Sequence, residues 1–454
     1  MPVNSFDNYP MTWKPKFEKT GAPIYLELAR LLECDIESGA LRPGTKLPPQ
    51  RELADFLDIN LSTVSRAFKI CSDKGLLTGS VGSGTYVSYS SLTRLTDQPR
   101  DELIRLDAMT PETLDPSELV DVLLKMLSEP GRERLFQYDL NQPSWQKEAA
   151  SRLLKRAGCT AKPEHILTAG GGQNAIAAIF AAMFNRGDRL GVDPLTYPGV
   201  KSAAKLLGIQ LVPIAQENGH MSEAGIRYAV KNDGICALFV MPDYQNPTSY
   251  IMSTKQRQMI ASLAIENNLL IIEDGMCNLL SGKFCSIHDY APNNTVFTIS
   301  LSKTICPTLK TAYIAASEKY CARLDSALYT INLSQSALLN ELGARLIASD
   351  KLDSLLSRRI AGIEARNNLV NIILKNFTVR GDSHALARWL VLPDGISSAQ
   401  FEKEAAEHGV CVYGSEHFAV GKSVVEDGVR LAICSSGSTD ELEYALKIIR
   451  SLLK

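Results

Sequence analysis

The chain has 454 residues, of which 22% are charged and 45% are hydrophobic, and its formal net charge at pH 7 is −2. This length favours two domains with a substantial core, and the composition is that of a globular protein rather than a disordered or fibrous one. The balanced charge excludes a general polyanion binder, so any contact with nucleic acid must come from a local basic surface.

Targeting and metal-binding patterns are not expected in this sequence. The first residues, Met1-Pro2-Val3-Asn4, lack the basic start and apolar core of a signal peptide, and no uncharged apolar run reaches the roughly 18 residues that span a bilayer. The ten cysteines show neither zinc-ligand nor disulfide spacing. We therefore predict a cytoplasmic protein with no membrane contact and no metal site.

Three short amphipathic helices are predicted near the N-terminus. The first runs from Pro23 to about Glu37, and Gly39 ends it. The second covers residues 51–57. The third begins with Asn60 or Ser62 as its cap, because both side chains can accept a hydrogen bond from the first helical turn.

The third helix carries one apolar stripe, which leaves its polar side chains on the opposite face and flanks. The stripe consists of Val64, Ala67, Phe68 and Cys71. Gly75 ends this helix, and residues 76–87 are predicted to form a β-hairpin with a glycine-rich tip. A hairpin that follows a recognition helix is typical of a winged helix-turn-helix.

These N-terminal motifs resemble those of the GntR family of transcriptional regulators over residues 20–90. The matching runs are Pro23-Ile24-Tyr25, Pro43-Gly44, Leu47-Pro48-Pro49-Gln50-Arg51-Glu52-Leu53-Ala54, Thr63-Val64-Ser65-Arg66-Ala67-Phe68 and Gly82-Ser83-Gly84-Thr85-Tyr86-Val87. The resemblance implies binding to double-stranded operator DNA, with the third helix in the major groove and the wing in the minor groove. The implied DNA-binding residues are Lys46, Arg51, Ser62, Thr63, Ser65, Arg66, Lys69 and Ser83. The alternative is that the basic residues among them form only a solvated surface.

A polar linker is predicted over residues 91–105, and beyond it strand-like runs alternate with helical stretches. The strand-like runs include residues 166–168, 189–192, 237–241, 269–273 and 296–300, and a helical stretch covers residues 254–266. This alternation is typical of an α/β domain with a mostly parallel sheet. In such a domain the binding site lies beyond the carboxyl ends of the strands.

Three features at these strand ends point to one cofactor. Lys303 follows the strand at 296–300 and offers an amine, and Asp274 ends the strand at 269–273 and offers a carboxylate. The glycine-rich turn Gly170-Gly171-Gly172 leads into a helix whose first amides can hold a phosphate. An amine, a carboxylate and a phosphate seat together predict pyridoxal 5′-phosphate.

Residues 106–454 are similar to the fold-type I aminotransferases, and the whole chain resembles the MocR subfamily, which joins a GntR-type head to an aminotransferase-like body. The predicted fold class is therefore α/β, with an N-terminal winged helix-turn-helix and a C-terminal fold-type I domain with a mostly parallel central sheet. The resemblance implies that Lys303 forms the internal aldimine and that Asp274 pairs with the pyridine nitrogen.

The same resemblance implies roles for further residues. Tyr197 would lie against the cofactor ring, Asn246 would bond the ring hydroxyl, and Arg430 would bind the carboxylate of an effector. The residues implied for the phosphate are Gly171, Gly172, Gln173, Ser300, Ser302 and Lys310.

Each assignment has an ordinary structural alternative. Tyr197 could pack on its own domain as a loop tyrosine, and Asn246 could serve only the turn before a proline. Arg430 could lie on the surface of a strand. Asp274 and Lys303 could form an ordinary ion pair at the strand ends.

The sequence departs from the aminotransferase pattern at two positions. Met276 stands where these enzymes usually have a tyrosine that bonds the ring hydroxyl, and a thioether cannot donate a hydrogen bond. Lys310 stands where these enzymes usually have an arginine. The positive charge is kept, but the two parallel hydrogen bonds that a guanidinium can form to a phosphate are lost.

Three functions remain open at this point. The first is a homodimeric transcriptional regulator that senses an amine or amino acid through aldimine exchange. The second is an active aminotransferase with an attached DNA-binding head. The third is a regulator that has lost the cofactor and keeps the body as a scaffold for dimerisation.

Overall fold

The computed structural model of this chain describes residues 11–15, 23–80, 84–88, 103–139, 142–282, 284–421, 423 and 425–453. The chain divides into two compact units, residues 1–102 and 103–454. No helix within these described ranges is both long enough and apolar enough to cross a membrane.

Within its described residues, the first unit has three helices and a β-hairpin, which confirms the predicted winged helix-turn-helix. Its elements are α1 (Ile24–Glu37), α2 (Gln50–Leu57), α3 (Leu61–Asp73), β1 (Leu77–Ser80) and β2 (Gly84–Val87). The two strands pair antiparallel, and residues 81–83 at the tip of the wing lie outside the described residues. Asn60 holds the N-cap position of α3 without a side-chain hydrogen bond, so Ser62 belongs to the first helical turn and is not the cap.

The apolar stripes of α1 and α3 meet in the core of this unit. Leu28, Leu32 and Ile36 of α1 are buried in one cluster with Val64 and Phe68 of α3. Each such side chain contributes about 1.5–3 kcal/mol when it is fully buried. The packing therefore fixes which face of α3 remains in contact with solvent.

The second unit contains most of the helices and strands. Its helices are α4 (Ser117–Ser128), α5 (Ser144–Arg156), α6 (Gly172–Met183), α7 (Pro198–Leu207), α8 (Glu223–Tyr228), α9 (Thr254–Glu266), α10 (Asn278–Ser281), α11 (Ile287–Tyr290), α12 (Glu318–Asn332), α13 (Ala337–Ala348), α14 (Lys351–Ile373), α15 (Ser398–Glu407) and α16 (Thr439–Leu452). Its strands are β3 (Ile104–Arg105), β4 (Tyr138–Asp139), β5 (Ile166–Ala169), β6 (Arg189–Val192), β7 (Gln210–Pro213), β8 (Gln216–Glu217), β9 (His220–Met221), β10 (Ala237–Val240), β11 (Leu270–Asp274), β12 (Thr295–Ser300), β13 (Ala312–Ala315), β14 (Gln335–Ser336), β15 (Val379–Arg380), β16 (Arg388–Val391), β17 (Val410–Cys411), β18 (Tyr413–Gly414) and β19 (Gly428–Leu431).

The central sheet has seven strands in the order β5-β13-β12-β11-β10-β6-β7. The neighbours from β12 to β7 are parallel, and β13 runs antiparallel to both β12 and β5. Every residue of β12 is buried, as expected for a strand whose sheet is covered by helices on both faces. The mostly parallel sheet predicted from the sequence is confirmed.

A second sheet is built from the C-terminal part of the chain, in the order β15-β16-β19-β18. Beside it, Ile104 and Arg105 of β3 pair in parallel with Val410 and Cys411 of β17. The first residues of this unit are therefore bound to its C-terminal part. Of the predicted linker, residues 91–102 lie outside the described residues.

Candidate functional site

The candidate DNA-binding residues lie on α2, α3 and the base of the wing. The side chains of Lys46, Arg51, Ser62, Arg66 and Lys69 are exposed. Within the described part of the chain, none of the four basic residues of this set forms an ion pair. Their charges remain available to phosphate groups, which supply most of the electrostatic attraction in protein–DNA binding.

The remaining candidates of this set have more specific surroundings. Ser65 Oγ donates to Gln50 Oε1 at 2.7 Å, so this hydroxyl fastens the start of α2 to α3. Thr63 is half-buried. Ser83 lies outside the described residues, and its predicted role remains untested by the structure.

The central sheet brings the other candidates to one edge. Gly171 follows β5, Tyr197 follows β6, and Asn246 follows β10. Asp274 is the last residue of β11, and Lys303 lies three positions beyond the end of β12. Because β5 runs parallel to these other strands, all these positions share the carboxyl edge of the sheet, where α/β domains bind ligands.

The glycine-rich turn forms a seat at the start of α6. Gly171 holds the N-cap position with a φ of +96°, a left-handed conformation that favours glycine. A Cβ on Gly172 would stand 3.6 Å from the Cβ of Ser300, so the helix start lies directly beside β12. Amides in the first turn of a helix have no partner within the helix and attract anions.

Polar side chains surround this helix start. Ser300 Oγ donates to Ser302 Oγ at 3.1 Å, and Gln173 Nε2 donates to the Gly199 carbonyl at 2.9 Å. The side chain of Lys310 is exposed, and its Cα would lie 3.8 Å from a Cβ on Gly171. The arrangement offers hydroxyl donors and one positive charge to a phosphate.

Asp274 presents a carboxylate with few partners. It is 8% exposed, and its Oδ1 accepts a hydrogen bond from the Met276 amide at 3.1 Å. Burial raises the pKa of the Asp274 carboxyl to about 6. Among the described residues, Asp274 forms no ion pair with Lys303. The structure therefore does not have the ordinary salt bridge at the strand ends that was the alternative. A buried anion of this kind is suited to a cationic N–H group.

Lys303 carries the amine of the site. Its Nζ donates a hydrogen bond to the Met109 carbonyl. Burial lowers the pKa of the Lys303 ammonium, which increases the fraction present as the free amine. Only the free amine is a nucleophile, so this environment suits covalent chemistry.

Arg430 is buried, with 4% of its surface exposed, which excludes a surface strand arginine. Its Nη1 donates to Asn246 Oδ1 at 2.8 Å, and its Nη2 donates to the Asp107 carbonyl. Its Cζ lies 4.9 Å from the ring centroid of Phe418 and 5.6 Å from that of Tyr413. Burial lowers the pKa of this guanidinium to about 10. Its Nε is buried without a hydrogen-bond partner in the described structure.

Tyr197 is half-buried at the N-cap position of α7. Burial raises the pKa of its phenol, and the charge of Asp274 adds to this effect while that of Arg430 opposes it. The side chain therefore lies within electrostatic reach of both groups. This position is compatible with an aromatic wall for a planar ligand.

The sequence did not reveal several residues that complete the site. A small cavity of about 10 Å³ is lined by Met109, Tyr244, Cys277 and Leu386 together with Asn246 and Arg430. Tyr244 donates from its hydroxyl to Asp382 Oδ1 at 2.5 Å. For Tyr244, the sequence offered one indication of a role in the site, its position two residues before the candidate Asn246. For Leu386 and Met109 the sequence offered no such indication.

One group of potential metal ligands lies elsewhere in the described structure. Ligand atoms of Cys159, His288 and Asp289 are within 4.8 Å of one another. The Asp289 oxygens already accept hydrogen bonds from the amide and hydroxyl of Thr160, at 2.7 and 2.9 Å. These bonds favour a structural role for Asp289 in fastening the start of α11.

Comparison with known proteins identifies both parts of the chain. Residues 24–87 match the family described as bacterial regulatory proteins, gntR family, and residues 102–449 match aminotransferase class I and II. A Bacillus subtilis protein named uncharacterized HTH-type transcriptional regulator YdeF is 45% identical over 100% of this chain and 99% of its own length. The HTH-type pyridoxine biosynthesis transcriptional regulator PdxR of Corynebacterium glutamicum is 24% identical over 66% of this chain and 67% of its own length.

The fold of the second unit has close counterparts among solved structures. An archaeal alanine:glyoxylate aminotransferase superposes with a TM-score of 0.72, covering 85% of this chain and 98% of that protein at 18% identity. At this level of identity the likeness concerns the fold alone, and the chemistry must be argued from the residues of the site.

Proposed function

This chain belongs to the gntR-family transcriptional regulators that carry an aminotransferase class I and II domain, the architecture of the MocR subfamily, and from that membership we propose that it binds pyridoxal 5′-phosphate and senses an amine or amino acid. The proposal rests on one observation. Lys303, an amine of lowered pKa, and Asp274, a buried carboxylate, lie at the carboxyl edge of the central sheet, and the buried guanidinium of Arg430 reaches Asn246 at that edge from β19 of the second sheet.

The residues at this edge fit the cofactor. When bound, pyridoxal phosphate supplies an aldehyde that condenses reversibly with primary amines. The first amides of α6, at Gly172 and Gln173, together with Ser300, Ser302 and Lys310, would hold its phosphate. The Asp274 carboxylate would accept a hydrogen bond from the protonated ring nitrogen. This nitrogen would be the cationic partner of the buried carboxylate, which no side chain of the described residues supplies.

Other residues would orient the cofactor and the effector. Tyr197 would lie against the ring. Asn246 Oδ1 accepts from Arg430, which leaves the amide N–H groups of Asn246 for the ring hydroxyl. Arg430 would hold the effector carboxylate, since a guanidinium can form two parallel hydrogen bonds to it and its Nε has a donor to spare.

The visible absorption spectrum tests the proposed cofactor. We expect a visible band after pyridoxal phosphate is added, and borohydride should fix the cofactor on the peptide that contains Lys303. A panel of amines and amino acids should then include one compound that shifts the band. A protein that stays colourless after addition of the cofactor would support the third function instead, a regulator with a silent body.

We propose the domain limits 20–90, 91–105 and 106–454 for the DNA-binding domain, the linker and the cofactor-binding domain. We further propose that the protein acts as a homodimer, because two DNA-binding heads can then occupy two half-sites. Exposed apolar side chains on the second unit support an interface, since Phe136 and Tyr138 are each 72% exposed and Leu333 is 42% exposed.

An active aminotransferase remains the second candidate, because Asp274 and Lys303 keep the groups that such chemistry requires. Met276 opposes it, since its thioether packs among apolar side chains and donates no hydrogen bond. Release of keto acid over many turnovers would establish the enzyme. A single turnover or none supports the sensor.

Replacing Arg66 with alanine should weaken operator binding by about tenfold or more and leave the cofactor spectrum unchanged. Arg66 is exposed on α3, and the loss of a phosphate contact should reduce the slope of affinity against salt concentration by about one. Arg30→Ala is the matched control, because Arg30 is already paired with Glu27 at 2.7 Å. Operator affinity that stays at the wild-type value through the salt series would contradict the assignment.

A further inference from the structure

Residues 107–112, which we term the entry segment, lie across the side chains that we assign to the cofactor and the effector. The Met109 carbonyl accepts from Lys303 Nζ, and the Asp107 carbonyl accepts from Arg430 Nη2. The Met109 side chain also lines the cavity beside Arg430. The entry segment therefore contacts both Lys303 and Arg430.

The entry segment is fastened by residues just beyond β19, the strand that carries Arg430. Ser435 Oγ donates to the Ala108 carbonyl and accepts from the Thr110 amide at 3.1 Å. The Glu112 amide donates to the Cys434 carbonyl at 3.0 Å. These bonds hold the segment against the site.

A second fastening is an ion pair. The Glu112 carboxylate pairs with Arg366, whose side chain is 3% exposed. Arg366 is in turn anchored by Ser436 and by the Ile433 carbonyl, the latter at 3.2 Å. The end of the entry segment is therefore tied to α14 as well as to the residues after β19.

A carboxylate ligand must compete with this segment for Arg430. A carboxylate can fork onto a guanidinium end-on, through Nη1 and Nη2, or side-on, through Nε and Nη2, so both geometries use Nη2. Nη2 already donates to the Asp107 carbonyl. The Asp107 carbonyl is neutral and accepts one bond from the guanidinium, whereas a carboxylate carries a full negative charge and can accept two parallel bonds, so a carboxylate would win this competition.

We propose that the entry segment is an autoinhibitory latch, which a carboxylate ligand at Arg430 displaces. The inference rests on the proposed function, because it takes Arg430 as the residue that binds the effector carboxylate. β3 precedes this segment and stays paired with β17. Bound and released forms of the segment are two states of the second unit, and a carboxylate ligand at Arg430 distinguishes them, which is the differential interaction that any effector requires.

Weakening the latch should increase ligand affinity, whereas damage to a binding site decreases it. Apparent affinity is the intrinsic affinity scaled by the fraction of molecules that are competent to bind. Ser435→Ala removes two hydrogen bonds of the latch and should raise the apparent affinity for propionate, an amine-free carboxylate, by about tenfold. Glu112→Gln, which weakens the pair with Arg366, should change affinity in the same direction.

Amide hydrogen exchange of the full chain gives a second and independent readout. Saturating propionate should speed exchange at the Thr110 and Glu112 amides, which the latch protects. The Ile104 and Leu106 amides, bonded to the Gly409 and Cys411 carbonyls at 2.7 and 2.8 Å, should stay protected. Sodium chloride at equal ionic strength controls for screening.

Ser451→Ala is the matched control, because its hydroxyl donates within α16 to the Ile448 carbonyl at 2.7 Å and does not contact the segment. This variant should bind propionate as the wild type does. Propionate affinity that is unchanged or reduced in both Ser435→Ala and Glu112→Gln would overturn the latch. So would propionate binding that leaves Thr110 and Glu112 as protected as before, or more so.

The same samples separate failure of the latch from failure of the proposed function. If Arg430→Gln binds propionate as well as the wild type does, Arg430 is not the carboxylate residue, and both the assignment and the latch fall. If propionate releases the segment but pyridoxal phosphate produces no visible band, the proposed cofactor is wrong and the latch stands. A normal spectrum without release overturns the latch alone.

Discussion

Replacing Lys303 with alanine should reduce the borohydride-fixed cofactor to background and abolish the visible band. The reason is chemical, because the Lys303 Nζ is a primary amine at the sheet edge and burial lowers the pKa of its ammonium. The protein should remain folded, since Lys303 is bonded only to a backbone carbonyl, that of Met109, among the described residues. Mass spectrometry of the reduced protein and circular dichroism measure the two effects.

Two comparisons make the Lys303 result specific. Lys375→Ala removes an exposed lysine and should keep the full visible band. Lys303→Arg keeps a positive charge but has no amine that can condense with an aldehyde, so it should behave like the alanine variant. Cofactor fixed in either Lys303 variant would contradict the assignment, and so would the loss of soluble, folded protein.

The strand-end residues could be predicted because they follow patterns that survive in the sequence alone. Asp274 and Lys303 each come after an apolar run that is long enough for a buried strand and too short for most helices. The structure places β11 and β12 side by side and parallel, so the two residues share an edge. Because β11 and β12 are parallel neighbours, their carboxyl ends lie side by side, and residues far apart in the sequence come close together there.

The entry segment could not be predicted in the same way. Asp107 and Met109 contact Arg430 and Lys303 through backbone carbonyls, a group that almost every residue possesses, so no residue type marks them. Asp107 and Arg430 are also 323 positions apart. The pairing of β3 with β17 and the bonds to Cys434 and Ser435 place the start of the second unit beside its C-terminal strands.

Local chemistry at the start of α3 shows a smaller limit of the same kind. Asn60 and Ser62 are both good capping residues, and the helix start at Leu61 decides between the two positions. Asn60 takes the N-cap position, yet its side chain makes no capping hydrogen bond. Capping propensity identified the region where α3 starts, but the conformation of the Asn60 side chain depends on its surroundings.

Replacing Asp274 with asparagine should weaken binding of pyridoxal phosphate by about 100-fold, because the ring nitrogen loses its anionic partner in a buried site. The same change should stabilise the cofactor-free protein at neutral pH. Burial raises the pKa of Asp274 from 3.8 to about 6, so the folded state holds the proton more tightly than the unfolded state does. A shift of this size corresponds to about 3 kcal/mol.

The sign of the pH dependence follows from that shift. Below about pH 3 the carboxyl is protonated in both states and does not affect stability, whereas the folded wild type loses stability as the pH rises from there through about 6. The unfolding free energy of Asp274→Asn minus that of the wild type should therefore increase by about 3 kcal/mol between about pH 3 and about pH 7. Denaturant titrations of both proteins without cofactor measure this difference.

Glu273 supplies the matched control, because it is the preceding residue of β11 and its side chain points to the other face of the sheet. It accepts hydrogen bonds from the Ile287 and His288 amides, both at 2.9 Å, and burial raises its pKa to about 7. Glu273→Gln should keep the cofactor spectrum and lose stability, since an amide can accept from these donors at only one of its two terminal atoms. If the Asp274 carboxylate binds the cofactor, its replacement by an amide should weaken cofactor binding and stabilise the cofactor-free protein. An Asp274→Asn variant that is less stable than the wild type at pH 7 would show that Asp274 has a structural role.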